Sequence, residues 1–151
     1  MKLISIDPAW AKPMAYALFE NEVLEECGKT EVIGGLIIRA GPDVIVTERP
    51  YLGGNAKKYS QRGVSRTFET LCYAVGIVAA FAGYVGAEFH LVRPVDWKSS
   101  IGLTKRNPPA IHESIRAELM QYSDNEDVQD AIMIGQYYLK NFAVKEGAWN
   151  R

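Results

Sequence analysis

The chain has 151 residues, 48% of them hydrophobic and 23% charged, which is enough to build one globular domain with a full core. A net charge of −1 argues against a protein that binds polyanions through overall positive charge. The two cysteines and two histidines lack zinc-site spacing, and the richest apolar stretch, 71–85, is interrupted by two glycines, so neither a zinc site nor a membrane span is predicted.

The first part of the chain predicts three short strands. Residues 2–7 alternate between polar and apolar side chains, some of them β-branched. They end on the carboxylate of Asp7, just before a proline. Residues 13–19 and 23–28 follow a similar pattern and are joined by a tight turn at 20–22. Strands connected this closely pair as an antiparallel meander.

The next segment predicts a crossover and a buried strand. Residues 30–40 indicate a short helix or an irregular connection, which Gly41 and the following proline terminate. Residues 43–48 form a nearly continuous apolar run that ends on Glu48. Such continuity is typical of a strand that is covered on both faces.

The centre of the chain predicts a loop, a long helix and a strand. Residues 51–63 are rich in glycine, lysine, tyrosine and serine, which indicates a loop. A long helix then runs from residue 64 or 65 to residue 84, and its small side chains suit packing on the sheet or against another backbone. Residues 88–93 predict a strand that a proline stops.

The last third of the chain predicts helices. Residues 95–109 indicate a helix and a loop, and residues 110–120 are helical. Ser123 and Glu126 have the spacing of a capping box, which predicts a final helix to about Phe142. The resulting order, βββ-α-β-α-β-α-α, is that of a mixed α/β protein, with a single domain over the whole chain.

Four carboxylates lie where the predicted elements can bring them together. Asp7 and Glu48 end strands, while Asp127 and Asp130 share one helix face near its start. Converging carboxylates raise one another's pKa values and destabilise a fold unless a cation neutralises them. Oxygen ligands favour Mg²⁺ or Mn²⁺, and two such ions roughly 3.5–4 Å apart can promote phosphodiester hydrolysis. Singly, each acid is also explained as a structural or capping residue, Asp7 most of all, and Glu126 is an alternative ligand to Asp127.

Three motifs in the same order resemble those of the RuvC-type Holliday junction resolvases, within the ribonuclease H-like superfamily. They are Ile-Ser-Ile-Asp-Pro at 4–8, Ile-Val-Thr-Glu-Arg-Pro-Tyr at 45–51 and Asp-Val-Gln-Asp-Ala at 127–131. The resemblance implies a mixed five-stranded sheet, three antiparallel strands followed by parallel ones, flanked by helices. It also implies that the ligands of two Mg²⁺ or Mn²⁺ ions are Asp7, Glu48, Asp127 and Asp130.

Basic and aromatic side chains complete the expected DNA-binding surface. The resemblance implies that Tyr51 wedges against bases at the junction and that Lys98 and Lys105 contact phosphates, with Lys105 nearer the scissile phosphate and therefore catalytic. Two segments poor in acids supply further candidates for phosphate contacts, namely Lys57, Lys58, Arg62, Arg66 and Arg106. For each of these side chains, a solvated surface position is the alternative.

Two features depart from the family pattern. Ala9 stands where the family usually has glycine after Asp-Pro, and the stretch between Asp7 and Glu48 is shorter than in cellular members. Viral and phage members show similar trimming. The resemblance implies a homodimer, with the long helix at its interface, because two symmetric cuts need two subunits.

The expected function is therefore a structure-selective endonuclease that cuts four-way or other branched DNA and leaves 5′-phosphate ends. A related nuclease that acts on structured RNA and a non-catalytic junction-binding protein are the alternatives, and the presence of all four acids counts against the second. The short and early-charged N-terminus does not resemble a secretory signal, which places the protein in the cytoplasm of a bacterial or phage-infected cell.

Overall fold

The computed structural model describes residues 1–9, 12–50, 61–104 and 107–143, without the side chains of 61–67. Its elements are β1 (Lys2–Asp7), β2 (Met14–Glu20), β3 (Val23–Thr30), α1 (Ile33–Ala40), β4 (Val44–Glu48), α2 (Gln61–Val85), β5 (Glu88–Val92), α3 (Pro94–Ser100), α4 (Pro109–Leu119) and α5 (Glu126–Tyr138), with a π-helical turn at Leu139–Ala143. Within these residues three helices follow β5, which agrees with the three helical segments predicted after residue 94, although the predicted order counts only two.

The described strands form one five-stranded sheet in the order β3-β2-β1-β4-β5. The first three strands are antiparallel, and β4 and β5 run parallel to β1. The β2–β3 hairpin turns at Asn21 and Glu22, both with positive φ, the backbone that two-residue hairpin turns require. This sheet confirms the mixed arrangement predicted from the sequence.

Helices cover both faces of the sheet because side chains on β1 alternate between two cores. Leu3 packs into the core shared with α5, whereas Ile4 and Ile6 pack into the core shared with α1 and α2. All three side chains are fully buried. The central strands β1 and β4 are therefore enclosed on both faces, as the continuous apolar run of β4 predicts.

Helix α5 approaches β1 unusually closely. The Ser5 hydroxyl donates a hydrogen bond to the carbonyl of Ala131 over 2.6 Å. A Cβ atom at Gly135 would lie 2.3 Å from the ring of Phe19 and 2.7 Å from Ser5 Oγ, so only glycine fits at this position. The contact holds the start of α5 beside the end of β1.

The capping box predicted at Ser123 and Glu126 is wrong. The cap of α5 is Asn125, whose Oδ1 accepts hydrogen bonds from the backbone N–H groups of Asp127 and Val128. Ser123 Oγ instead accepts from the N–H of Asn125, which ties the turn before the helix. The helix therefore begins at Glu126, whose side chain is exposed, and Asp130 lies beyond the first turn in which the sequence placed it.

Helix α2 is longer than predicted and packs by one face only. It begins at Gln61, inside the segment 51–63 predicted to be a loop, whose first ten residues lie outside the described part of the chain. Ala74, Val78 and Ala82 are buried against α1 and the sheet, while Ile77 and Tyr84 are exposed.

One window of α2, Phe68–Val85, is long and apolar enough to cross a membrane by length and composition alone, in a search limited to the described residues. The expectation that no stretch reaches this length is therefore wrong. Gly76 and Gly83 do not interrupt the helix, and a side chain at either position would meet open space.

Candidate metal centre

The carboxyl ends of β1 and β4 carry two acids at the same edge of the sheet. The two strands are parallel neighbours, with Ile6 paired to Thr47, so Asp7 and Glu48 end them side by side. Helix α5 brings Asp130 and Asp127 towards this edge, because the charges of both side chains repel that of Asp7. Acids separated by up to 123 positions in the chain thus lie within electrostatic range of one another.

Asp7 is the acid that this arrangement affects most clearly. Burial is the largest cause that raises its pKa, followed by repulsion from Asp130, Glu48 and Asp127, and the result is a pKa of about 7. Lys98 opposes the shift. A carboxyl group with this pKa is partly protonated at neutral pH, and a nearby cation would favour its ionised form.

Glu48 is held by the indole of Trp97. The fully buried Trp97 donates from Nε1 to Glu48 Oε2 over 2.8 Å. Burial raises the pKa of Glu48, although the Trp97 hydrogen bond and the charge of Lys98 both lower it. In the described part of the chain, the other carboxylate oxygen of Glu48 accepts no hydrogen bond.

Asp130 is held by a guanidinium group. Arg116 Nη2 donates to its Oδ1 over 2.5 Å, and Lys98 Nζ lies 4.0 Å from its Oδ2. The pKa of Asp130 is nevertheless raised, because the cost of burial exceeds the stabilisation by Arg116. The side chains of Asp130 and Arg116 are only 20% and 26% exposed.

Asp127 has a different environment from the other three acids. Its Oδ2 accepts from Lys29 Nζ of β3 over 2.6 Å, its side chain is 43% exposed, and Lys29 is the main cause that lowers its pKa. The sequence prediction names all four acids as ligands and does not make this distinction. Glu126, the alternative ligand, is exposed, and only its backbone carbonyl contacts Arg116.

Within the described residues, no three acidic, histidine or cysteine side chains are arranged to hold a metal ion. The hydrogen bonds above give the physical reason, since three of the four acids are directed to Trp97, Arg116 or Lys29. The donor chemistry still fits a hard divalent cation. All candidate ligands are carboxylate oxygens. Burial, followed by repulsion from other acids, raises the pKa values of Asp7 and Asp130, and a bound cation would offset this cost of ionisation.

Of the basic residues predicted to contact DNA, Lys98 lies at this centre. Its ammonium group is near Asp130 and lies 4.8 Å from the centroid of the Trp97 ring. Arg62 and Arg66 are on the first turns of α2, but their side chains lie outside the described residues. The other predicted contacts also lie outside them: Tyr51, Lys57, Lys58, Lys105 and Arg106.

Sequence reasoning missed the three side chains that bind the acids. Trp97 precedes the predicted Lys98, but nothing in the pattern indicates an indole bonded to Glu48. Arg116 falls within the predicted helix 110–120 and Lys29 follows the predicted strand 23–28, without any spacing that pairs them with acids. Each pairing depends on how separate elements pack, and only an alignment of related sequences would carry such a signal.

Two hollows flank this region. A polar one of about 500 Å³ opens beside the acids and is lined by Lys98, Leu103, His112, Glu113, Arg116 and Glu126. A larger, mainly apolar groove of about 640 Å³ lies between the start of α1 and α2, and none of the four acids lines either hollow. The polar hollow adjoins the candidate metal centre through Lys98 and Arg116, which both lie next to Asp130.

No protein-family model and no curated protein sequence matches the chain. Among solved structures, it is similar to Thermus thermophilus RuvC in complex with Holliday junction substrate, with 15% identity, 97% and 96% of the two chains covered, and a TM-score of 0.68. It is also similar to fowlpox virus resolvase in complex with substrate Holliday junction DNA, with 14% identity, 93% and 97% coverage and a TM-score of 0.52.

A third similar structure is the yeast mitochondrial Holliday junction resolvase, with 13% identity, 98% of this chain and 83% of that chain covered, and a TM-score of 0.55. Identities this low establish the fold alone. The chain therefore has the ribonuclease H-like fold found in RuvC and related Holliday junction resolvases.

Proposed function

We propose that the protein is a divalent-metal-dependent endonuclease that cuts four-way or other branched DNA. The observation that carries the proposal is that Asp7, Glu48 and Asp130 lie within electrostatic range of one another at one edge of a sheet whose fold occurs in junction resolvases. A structural role does not explain this arrangement, since burying mutually repelling carboxylates opposes folding.

Asp7, Glu48 and Asp130 would hold Mg²⁺ or Mn²⁺, and Asp127 would join them if Lys29 released it. Two ions bound there would activate water for in-line attack and stabilise the leaving oxygen, which yields 5′-phosphate and 3′-hydroxyl ends. Ligand exchange at Asp127 is cheap, because its ion pair with Lys29 is partly exposed to solvent.

The other side chains at the centre orient ligands and attract the substrate. Trp97 fixes Glu48 through its indole N–H, which selects one carboxylate orientation. Lys98 adds positive charge beside the polar hollow, where a DNA phosphate would enter. Lys105 is proposed to act closest to the scissile phosphate, and Tyr51 and the other basic residues named above to bind the flanking DNA.

We extend the proposal to a homodimer that uses the outer face of α2. Ile77 and Tyr84 on that face are 38% and 77% exposed, an apolar surface that a second copy would cover. A symmetric pair of subunits would also present two metal centres to the two strands that a four-way junction requires to be cut.

The direct test is cleavage of a labelled four-way junction in Mg²⁺ by Asp7→Asn and Asp130→Asn. Each variant is expected to reduce the cleavage rate on the order of 100-fold or more, because each removes a charged ion ligand. Asp124→Asn is the matched control, since Asp124 is exposed in the turn before α5. Undiminished cutting by both site variants would contradict the proposal, and a structured RNA in the same assay tests the alternative substrate.

A further inference from the structure

Arg116 makes contacts that differ from those of an ordinary surface arginine. It projects from α4 onto the start of α5, where Nη2 donates to Asp130 Oδ1 over 2.5 Å. Its Nη1 donates to Gln129 Oε1 over 3.2 Å and to the carbonyl of Glu126 over 3.3 Å. One guanidinium group thus binds a candidate metal ligand and, separately, the helix that carries this ligand.

The anchor on α5 is itself rigid. Gln129 is 1% exposed, and its Nε2 donates to the carbonyl of Ser123 over 2.8 Å. The orientation of Gln129 Oε1 is therefore fixed, and this fixes Arg116 Nη1, which donates a hydrogen bond to it. A guanidinium group with both terminal nitrogens fixed leaves its partner carboxylate little rotational freedom.

The remaining oxygen of Asp130 is the one that matters for an ion. Its Oδ2 lies 4.0 Å from Lys98 Nζ, beyond direct hydrogen-bond distance. Among the described residues, Arg116 therefore binds one oxygen of Asp130 and no hydrogen bond reaches the other, an arrangement like that of the groups behind metal-binding carboxylates.

We propose that Arg116 is a positioning residue that holds Asp130 in the orientation needed to bind a divalent ion. The inference rests on the proposed metal-dependent function and deepens it, because it assigns the support of one ligand to a residue in a different helix. The competing reading is a placeholder that an incoming ion displaces. The bonds of Arg116 to Gln129 and Glu126 argue against displacement, since the guanidinium group stays anchored even without Asp130.

The experiment measures Mn²⁺ binding to the full chain without DNA, by the electron paramagnetic resonance signal of free Mn²⁺. Arg116→Lys keeps the charge but cannot bond Asp130 and the α5 anchor together. It is expected to weaken Mn²⁺ binding 10- to 100-fold, an effect typical of lost support behind a metal ligand. In an Asp130→Asn background the same substitution is expected to change binding less than about twofold, because the ligand it positions is gone.

Arg39→Lys is the matched control, since Arg39 also pairs with an acid, Glu26, but at an exposed site on α1 and β3. Thermal unfolding in a chelator confirms that each variant folds, and Arg116→Gln is titrated beside Arg116→Lys. Loss of cooperative unfolding in both would overturn the proposal, because Arg116 would then support the fold and not the ligand.

The results separate this inference from the proposed function. If the unsubstituted chain does not bind Mn²⁺, or if Asp7→Asn leaves its Mn²⁺ binding unchanged, the proposed function fails and the inference fails with it. If the chain binds Mn²⁺ and Arg116→Lys binds it equally or more tightly, only the inference fails, and the placeholder reading replaces it.

Discussion

Asp7 shows how the candidate metal centre affects folding. Burial, and then repulsion from the neighbouring acids, raises its pKa from an ordinary value of 3.8 to about 7. The folded state therefore binds more protons at Asp7 than the unfolded state does between these two values. The free energy of unfolding consequently falls as pH rises through this window, and the loss is complete above the folded pKa.

This pH dependence of the free energy of unfolding leads to a prediction for the metal-free protein. Asp7→Asn is expected to raise the free energy of unfolding at pH 8 by on the order of 1–3 kcal/mol, because it removes a buried charge. The gain is expected to be smaller at pH 5, where Asp7 is largely protonated in the folded state. Urea unfolding of chelator-treated protein at both pH values measures this. An equal gain at the two values would show that the ionisation of Asp7 is not the cause.

The residue scale also shows the limit of sequence reasoning about the site. Asp7 and Glu48 are recognisable because each follows a strand, and Asp130 because its spacing from Asp127 matches a helix face. The indole of Trp97 and the guanidinium group of Arg116 have no comparable pattern, since their contacts cross between elements.

Among the elements, α5 determines the geometry of the centre because of how closely it packs on the sheet. Ser5 bonds to the carbonyl of Ala131, and Gly135 lies against Phe19 one turn further along the helix. These contacts fix the depth of the helix, and hence the distance from Asp130 to the end of β1.

Gly135→Ala is therefore expected to destabilise the protein by about 1–3 kcal/mol, the usual cost of overpacking a core. It is also expected to slow junction cleavage, because α5 must move away from β1. Gly76→Ala is the matched control, since a side chain there meets open space and alanine favours a helix. Urea unfolding measures both changes, and a neutral or stabilising Gly135→Ala would show that the close approach is not rigid.

Two capping patterns compete at the start of α5. The spacing of Ser123 and Glu126 fits a capping box, but Asn125, which is also a good capping residue, takes the position. The predicted helix start is two residues too early, and the observed start makes Asp130 the fifth residue of α5. Its proximity to Asp7 then comes from the packing of α5, not from the helix start.

For the whole molecule, the outer face of α2 is the surface on which a dimer would form. Ile77→Glu is expected to convert a dimer to a monomer, because it places a charge in an apolar interface. Sedimentation velocity measures the change, with Val23→Glu, an exposed position at the β2–β3 hairpin, as the control. A monomeric unsubstituted chain, or a dimer that survives Ile77→Glu, would contradict the proposed use of this face.

The sequence by itself determined the architecture and the acids. Alternation in β1, the apolar run of β4 and the short turn between β2 and β3 are local features, and local periodicity reports which face of an element is buried. The order of these elements predicted a mixed α/β protein, and the resemblance of three motifs to the RuvC-type resolvases implied the five-stranded sheet that the structure contains.

Tertiary structure alone decided the partners of those acids. Lys29 bonds to Asp127 across 98 positions and Trp97 to Glu48 across 49, and Arg116 reaches Asp130 from a separate helix. Such pairings depend on the angle and depth at which elements pack, which no local pattern records. These pairings also distinguish Asp127 from the other acids. Lys29 lowers the pKa of Asp127 more than burial raises it, whereas burial raises the pKa of Asp130 more than Arg116 lowers it.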